Sequence, residues 1–275
     1  MDFTCRENID GSFEVYNTKI GDIYFSNVGA YKEALEKFVL PSLPVLKNKS
    51  EIKILDACYG LGYNSKTFLN YLYQNNIKIK TDILAVDIDE NILTLGLFIF
   101  DKNISDCIHK NLGREILSSI NFDKNIEKIL GENWIKLFLP QVCAKFEQDF
   151  QNSGVYLYQK DKISTFLHNI YYQNQLNFEK FFNLDLKIEK LEEILPKIDF
   201  GVDLIFHDAF SILKQPELWS EEIMQRYYEI LNPNGRLLTY SNSRVLRKRL
   251  DKIGFAVEIN FDNNGKQNGT IAIKT

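Results

Sequence analysis

Three carboxylates stand where an apolar run ends: Asp56 after Ile52-Lys-Ile-Leu, Asp87 after Thr81-Asp-Ile-Leu-Ala-Val, and Asp208 after Gly201-Val-Asp-Leu-Ile-Phe-His207. A carboxylate at the mouth of a buried strand can accept hydrogen bonds from sugar hydroxyls, hold an ammonium, or take a proton from an amine. Asp56 runs directly into Ala57-Cys58-Tyr59-Gly60-Leu61-Gly62. Two glycines at that spacing let the backbone come close to a ligand at a helix N-terminus, where free N–H groups point outward. Asp87 stands 27 residues beyond Gly60, a distance that suits a carboxylate gripping ribose hydroxyls from the next strand's end. The third glycine of the dinucleotide fingerprint falls at Ser65, so that pattern is incomplete.

These residues need strands and helices to place them. Ile52 to Asp56 reads as a strand. Tyr63 to Tyr73 reads as a helix, with Phe68, Leu69 and Leu72 at helical spacing. Asn64 lies near its first turn, where it either reaches a ligand or caps the helix. Upstream, Ser12 to Tyr16 and Asp22 to Phe25 are β-like. A helix from about Ala30 to Leu40 carries Ala34, Leu35, Phe38 and Val39 on one face and is expected to stop at Pro41. After the second strand the stretch from Asn91 to about Phe182 is long, polar and helix-like, and reads as a helical insertion. Alternation then resumes: a short strand at Asp185–Ile188, a helix near Glu189–Leu195, a strand at Gly201–Asp208, a helix at Pro216–Leu231, a turn at Asn232–Gly235 and a strand at Arg236–Tyr240. A helix at Ser243–Ile253 with Gly254 as its cap follows. Phe255–Phe261 and Thr270–Lys274 form a closing pair around Asn263-Asn-Gly265, a hairpin signal.

A βα series that ends in an antiparallel pair, with an acid ahead of the glycines, points to S-adenosylmethionine more than to NAD. The expected fold is α/β, a Rossmann-like class I methyltransferase with a seven-stranded, mostly parallel sheet, a C-terminal antiparallel hairpin and a helical insertion. Residues 1–95 and 183–275 are expected to form the methyltransferase domain, with 1–50 as an extension packed on it and 96–182 as the insertion.

Bulk properties narrow the setting. Hydrophobic content of 45% suffices for a core, and a formal charge of −4 gives no global field that would draw nucleic acid or membranes. Cys5, Cys58, Cys107 and Cys143 are scattered without metal-type spacing, as expected of a reducing cytoplasm. His109 and His168 share no ligand spacing, and His207 reads as buried structure, so no metal is expected. The longest apolar run, Ile92 to Phe100, is far short of the roughly 20 residues of a membrane span. A soluble cytoplasmic protein is expected, its oligomeric state left open. One run favours RNA: Arg244, Arg247, Lys248, Arg249 and Lys252 face a single acid, Asp251, between residues 241 and 254. Such a face could hold phosphates; it could equally be a solvated helix surface.

The segment from His207-Asp208-Ala209-Phe210 through Lys214 and Pro216 to Trp219 resembles the methyltransferase domain of the MnmC family. Asp10-Gly-Ser12, Asp22 to Ser26, Gly29-Ala30 with Glu33, the glycine turn and Gly269-Thr270 add to the likeness. The resemblance implies S-adenosylmethionine-dependent methylation of the 5-aminomethyl group on the wobble uridine of tRNA. It places Tyr24, Ser26 and Glu33 beside the cofactor, together with Asp56, Cys58, Tyr59, Gly60, Gly62, Asn64, Asp87, Ile88 and Asp208. Asp208 is the expected catalytic residue, holding the cofactor's ammonium or the substrate amine, or taking the departing proton; a turn or cap aspartate is the competing role. Phe210, Lys214, Arg244, Arg247 and Lys248 are the expected substrate contacts, although Phe210 could be a core aromatic and Lys214 a solvated loop lysine. Trp219 reads as a packing anchor.

Three departures from the family stand out. Cys58 occupies a position usually held by glycine, so its Cβ restricts the turn if positive φ is needed there. No clear Gly-Asp follows the third strand, Glu189 or Asp185 being loose substitutes. The insertion is longer than the family's. Two other readings remain: a methyltransferase for a small amine or protein, favoured by the acidic balance, and a cofactor- or RNA-binding module without turnover, suggested by Cys58.

Overall fold

Strand Val202–His207 is buried at all six positions, as a strand covered on both faces must be, and the sheet is built outward from it. The computed structural model describes residues 3–24, 29–98, 101–120 and 182–275. Strands β1 (Phe3–Glu7), β2 (Phe13–Asn17) and β3 (Asp22–Ile23) make a small antiparallel sheet. The main sheet holds β4 (Glu51–Ala57), β5 (Lys80–Asp87), β6 (Phe182–Ile188), β7 (Val202–His207), β8 (Leu231–Thr239), β9 (Phe255–Phe261) and β10 (Gln267–Lys274) in the order β6-β5-β4-β7-β8-β10-β9. The first five of these run parallel, and β10 lies antiparallel between β8 and β9. The expected α/β sheet with its closing hairpin is present.

Helices cover both faces. On one lie α1 (Ala30–Ala34), α2 (Leu40–Ser42), α3 (Tyr63–Gln74), α4 (Glu90–Phe98) and α5 (Asp106–Ser119). Phe38 and Phe68 from this layer both meet the ring of Phe206 edge-on, at 5.8 and 5.9 Å between centroids. On the other lie α6 (Leu191–Ile194), α7 (Glu221–Ile230) and α8 (Arg244–Ile253). There Ile205, Trp219, Met224, Tyr227, Leu246 and Leu250 share one buried cluster. The chain order reverses at the β4–β7 neighbours, so a crevice opens beyond the C-terminal ends of these strands, where such sheets place ligands.

Several local expectations need correction. The first helix does not stop at Pro41. A π turn, Leu35–Val39, separates α1 from α2, and a 3-10 turn carries the chain on to Leu46. The Leu40 N–H bonds back to the Leu35 carbonyl, so the regular i to i−4 ladder has already widened before the proline, whose missing N–H then costs little. The predicted helix over 216–231 is two elements: a 3-10 turn at Pro216–Trp219, then α7, whose N-cap Ser220 accepts a hydrogen bond from the Ile223 N–H. Asn232 to Gly235 bulges out within β8, where the pairing jumps from Val202–Leu231 to Leu204–Arg236. The N-terminal sheet gains β1, which no sequence signal announced.

The N-terminal segment is fastened locally. Ser12 Oγ accepts the Ala30 N–H at 2.7 Å and donates to Asp10 Oδ1 at 2.5 Å, which caps α1 from a distance. A Cβ on Gly29 would lie 2.0 Å from the Asp10 carboxylate, so that position must be glycine. Of the stretch expected to be an insertion, α4 crosses residue 96 and α5 buries Ile108, Leu112 and Ile116 in the core; residues 121–181 lie outside the described residues.

Trp219 is 1% exposed, and its indole N–H donates to the Phe210 carbonyl at 2.8 Å. Replacing it by alanine removes both a large buried side chain and the anchor of the loop that follows β7. Trp219→Ala is expected to cost about 3–5 kcal/mol of unfolding free energy, read as a lower urea midpoint with an unchanged slope.

Candidate active site

The three carboxylates predicted from strand ends do converge. Asp56 is fully buried at the end of β4, and the Ser65 hydroxyl donates to its Oδ2 at 2.5 Å. Burial, together with the nearby Asp208 and Asp87 carboxylates, pushes its pKa up to about 8, against the pull of Ser65. The resemblance places Asp56 beside the cofactor, but here it is a brace that fastens the first turn of α3. It does not line the cavity.

The turn itself is strained by a side chain. Cys58 has φ of +65°, followed by Gly60 at +55° and Gly62 at +75°. The position held by Cys58 therefore does take the left-handed conformation that favours glycine, and its thiol lines the cavity. Gly62 has a different reason for its identity: a Cβ there would lie 2.4 Å from the Tyr59 ring, which is itself buried. Gly60 N–H donates to Asp87 Oδ2 at 2.7 Å, while the Asp89 N–H donates to Oδ1 at 2.9 Å. Asp87 is thus fixed across the gap between β4 and β5, with lone pairs left over for a further donor. Burial raises its pKa to about 6 although both N–H groups pull it down.

Asp208 follows β7, partly open to the cavity but shielded from bulk water. Asn64 Nδ2 donates to its Oδ2 at 2.9 Å. Asn64 therefore neither caps α3 nor lines the cavity; it orients Asp208. Burial and the Glu33 carboxylate raise the Asp208 pKa to about 7, with Asn64 and Lys37 acting the other way. Glu33 forms a nearly buried ion pair with Lys37 one turn along the same helix. Both face the cavity, as do Tyr24, Ile88, Phe210 and Tyr240. The Tyr24 and Phe210 rings meet edge-on at 4.8 Å.

The cavity has a volume of about 590 Å³ and lies over the ends of β4, β5, β6 and β7, with β3 and α1 on its opposite wall. Among the described residues, eight carboxylate residues line it against two lysines, Lys37 and Lys190. At the third strand, Glu189 to Glu192 contribute to the lining, whereas Asp185 stays exposed within β6, paired with Lys187 at 2.8 Å.

Other expected site residues lie apart. Tyr59, Gly60, Gly62 and Asn64 sit behind the wall. Ser26 lies outside the described residues. Lys214 is exposed, and its ammonium donates to the Ile20 carbonyl at 3.1 Å, which pins the loop after β7 to the β2–β3 turn. Arg244 and Lys248 are exposed on α8 and Arg247 is partly buried there; none lines the cavity. Their neighbour Arg249 binds the Trp219 carbonyl, and Lys252 pairs with Glu221 at 2.9 Å, so the basic run is partly used in holding α8 to α7. His207 is buried, bonded through Nδ1 to the Tyr227 hydroxyl at 2.9 Å, and burial lowers its pKa to about 3; it is structural. Lys37 and Tyr240 were missed. The i,i+4 spacing of Glu33 and Lys37 was a visible signal for the first.

Comparison with known proteins gives this geometry a context. A family model described as S-adenosyl-L-methionine-dependent methyltransferase matches residues 155–275. The structure of MnmC2 from Aquifex aeolicus superposes with a TM-score of 0.63 at 22% identity, over 98% of this chain and 70% of that one. An uncharacterised protein of Methanocaldococcus jannaschii is 25% identical over 98% of this chain. The bifunctional tRNA 5-methylaminomethyl-2-thiouridine biosynthesis protein MnmC of Campylobacter hominis is 31% identical over 57% of it. The chain spans 58% and 23% of the length of these two curated relatives. Its fold is that of the class I methyltransferases, and its C-terminal part matches the S-adenosyl-L-methionine-dependent methyltransferase model. Among proteins of that fold it is similar to the MnmC proteins.

The class implies S-adenosylmethionine, and the residues present fit it. Asp87 offers a carboxylate with unused lone pairs to a sugar. Ile88 beside it presents an apolar surface, 60% exposed, to a flat base. The volume falls within the roughly 300–1,000 Å³ of small-molecule sites. Among the described residues no group of three His, Cys, Asp or Glu could hold a metal ion, and no helix is long and apolar enough to cross a membrane.

Asp56 yields a prediction about stability. Its folded pKa of about 8 lies above the ordinary carboxylate value of 3.8, so unfolding releases its proton between those limits. Its contribution is fully present below pH 3.8 and is lost as pH rises toward 8. Asp56→Asn cannot ionise. Its stability relative to the parent chain is expected to rise from pH 5 to pH 8, by at most about 1.4 kcal/mol per pH unit, in denaturant titrations across that range.

Proposed function

We propose that this chain transfers a methyl group from S-adenosylmethionine to an amine, and that the amine is the 5-aminomethyl group of a tRNA wobble uridine. The observation that carries the reading is Asp208, held by Asn64 in the cavity wall and facing Glu33, Lys37 and Tyr240 across from Asp87. When bound, the cofactor supplies an electrophilic methyl group. The residues of the chain then have three tasks. Asp87 and Ile88 hold the nucleoside end, while Tyr24 and Phe210 wall the cavity and exclude water. Asp208, with a pKa near neutrality, takes the proton that the amine must lose. A group whose pKa lies near working pH is well matched to that transfer. Holding two reactants in attack geometry can supply roughly 7–11 kcal/mol of barrier lowering, so positioning carries most of the catalysis.

The names of the MnmC relatives and the shared fold support the tRNA substrate. For RNA, Arg244, Arg247 and Lys248 on α8 are the proposed phosphate contacts, set outside the cavity. Phe210 is proposed beside the target base. Lys214 contributes by positioning its loop. One observation favours a second reading: the excess of carboxylates around the cavity suits a free cationic amine or a lysine side chain better than a polyanion. A binding module without turnover is the third.

Purified protein with labelled S-adenosylmethionine and tRNA bearing the aminomethyl intermediate is expected to yield labelled tRNA; small amines as acceptors test the second reading. Asp208→Ala is expected to lower transfer at least about 100-fold. Asp87→Ala is expected to weaken cofactor binding by calorimetry at least about tenfold. Cofactor binding without label in any acceptor would leave the binding module.

A further inference from the structure

We propose that Lys37 is the positioning residue that keeps Asp208 ionised, and hence able to accept a proton, at neutral pH; this rests on the reading of Asp208 given above. The setting of Asp208 is hostile to charge. From helix α1 it faces Glu33; from β4 it faces Asp56 and from the turn after it the Cys58 thiol; just past β8 it faces the Tyr240 phenol; from α3 it receives only the neutral Asn64 amide. Two carboxylates brought together out of water cannot both ionise without compensation, and one normally keeps a proton. Among the described residues, Lys37 is the cation in this group. Its side chain is 15% exposed and that of Glu33 9%, so their ion pair is little screened by solvent.

Three features hold Lys37 there. It lies within the π turn Leu35–Val39, a device that recurs at functional sites in helices. It stands four residues after Glu33, on the same side of the helix, and both line the cavity with Asp208. Its ammonium rests 5.8 Å from the centroid of the Tyr240 ring, a cation–π arrangement that adds to the Glu33 pair in holding it at the cavity that Asp208 lines. With Glu33 neutralised, Asp208 meets one fewer unbalanced negative charge.

The test follows the Asp208 carboxylate directly, by carbon-13 NMR titration of labelled aspartates, its resonance identified by its loss in Asp208→Asn. In Lys37→Met the midpoint is expected to rise by roughly one pH unit or more, and the acid limb of methyl transfer to rise with it. That shift would reduce transfer at pH 7 several-fold or more. Lys37→Arg, which keeps the charge, is expected to hold the parent midpoint. Glu33→Gln with Lys37→Met removes both charges and is expected to bring the midpoint back toward the parent value, which a general loss of packing would not do. An Asp208 midpoint unmoved in Lys37→Met, or moved equally in Lys37→Arg, would overturn the proposal. If the midpoints move as expected while no tRNA accepts label, the substrate reading fails and the role of Lys37 stands.

Discussion

Desolvated carboxylates govern this site. Asp87, Asp56 and Asp208 close three adjacent strands, β5, β4 and β7, so the geometry of a parallel sheet brings like charges to one edge and takes them out of water. Each pays a solvation penalty that raises its pKa, and each has a different neutral partner that limits the rise: a serine hydroxyl for Asp56, two backbone N–H groups for Asp87, an asparagine amide for Asp208. The outcome is one residue type in three states, each set by burial first and by its hydrogen-bond and charged neighbours second. A structural acid, a cavity-facing acid and a near-neutral acid arise from a single pattern of strand endings.

The wall opposite these strands belongs to the N-terminal segment. Tyr24, Glu33 and Lys37 come from β3, its sequel and the first helix, and they complete a cavity that the sheet edge alone leaves open. The fastening of that wall is polar and specific. Ser12 caps α1, Tyr63 Oη accepts the Phe13 N–H at 3.0 Å, and Lys214 reaches the Ile20 carbonyl. Apolar packing of Phe38 on Phe206 supplies the cohesion beneath.

Much of this was legible in the chain. An apolar run ending in an acid marks a strand end, and that rule located Asp56, Asp87 and Asp208. The spacing of Gly60 and Asp87 anticipated residues that turn out to share a hydrogen bond. What escaped was of two kinds. Local rules failed where a neighbouring distortion changed their premise: Pro41 does not end a helix whose ladder has already widened at the π turn, and Ser220 splits what periodicity read as one helix. Non-local contacts were invisible because their partners stand far apart in sequence. Tyr240 meets Lys37 across some 200 residues, and Lys214 is claimed by a carbonyl in the N-terminal sheet. Asn64 offered two local roles and took a third, with a carboxylate 144 residues away.

The first helical segment is also latched to β8 and β9. Asn260 Nδ2 donates to the Glu36 carbonyl at 2.9 Å, and Arg236 Nη1 donates to that of Pro41 at 2.7 Å. β10, made after both its neighbours, lies inside the sheet between β8 and β9. The helix that bears Glu33 and Lys37 therefore cannot settle on its final support while the ribosome is still translating residues 260–274. Domains acquire structure as units during synthesis. Here the asparagine that latches the crevice wall is synthesised 224 residues after the helix it holds, so ligand capture must await that stretch rather than accompany the making of the wall.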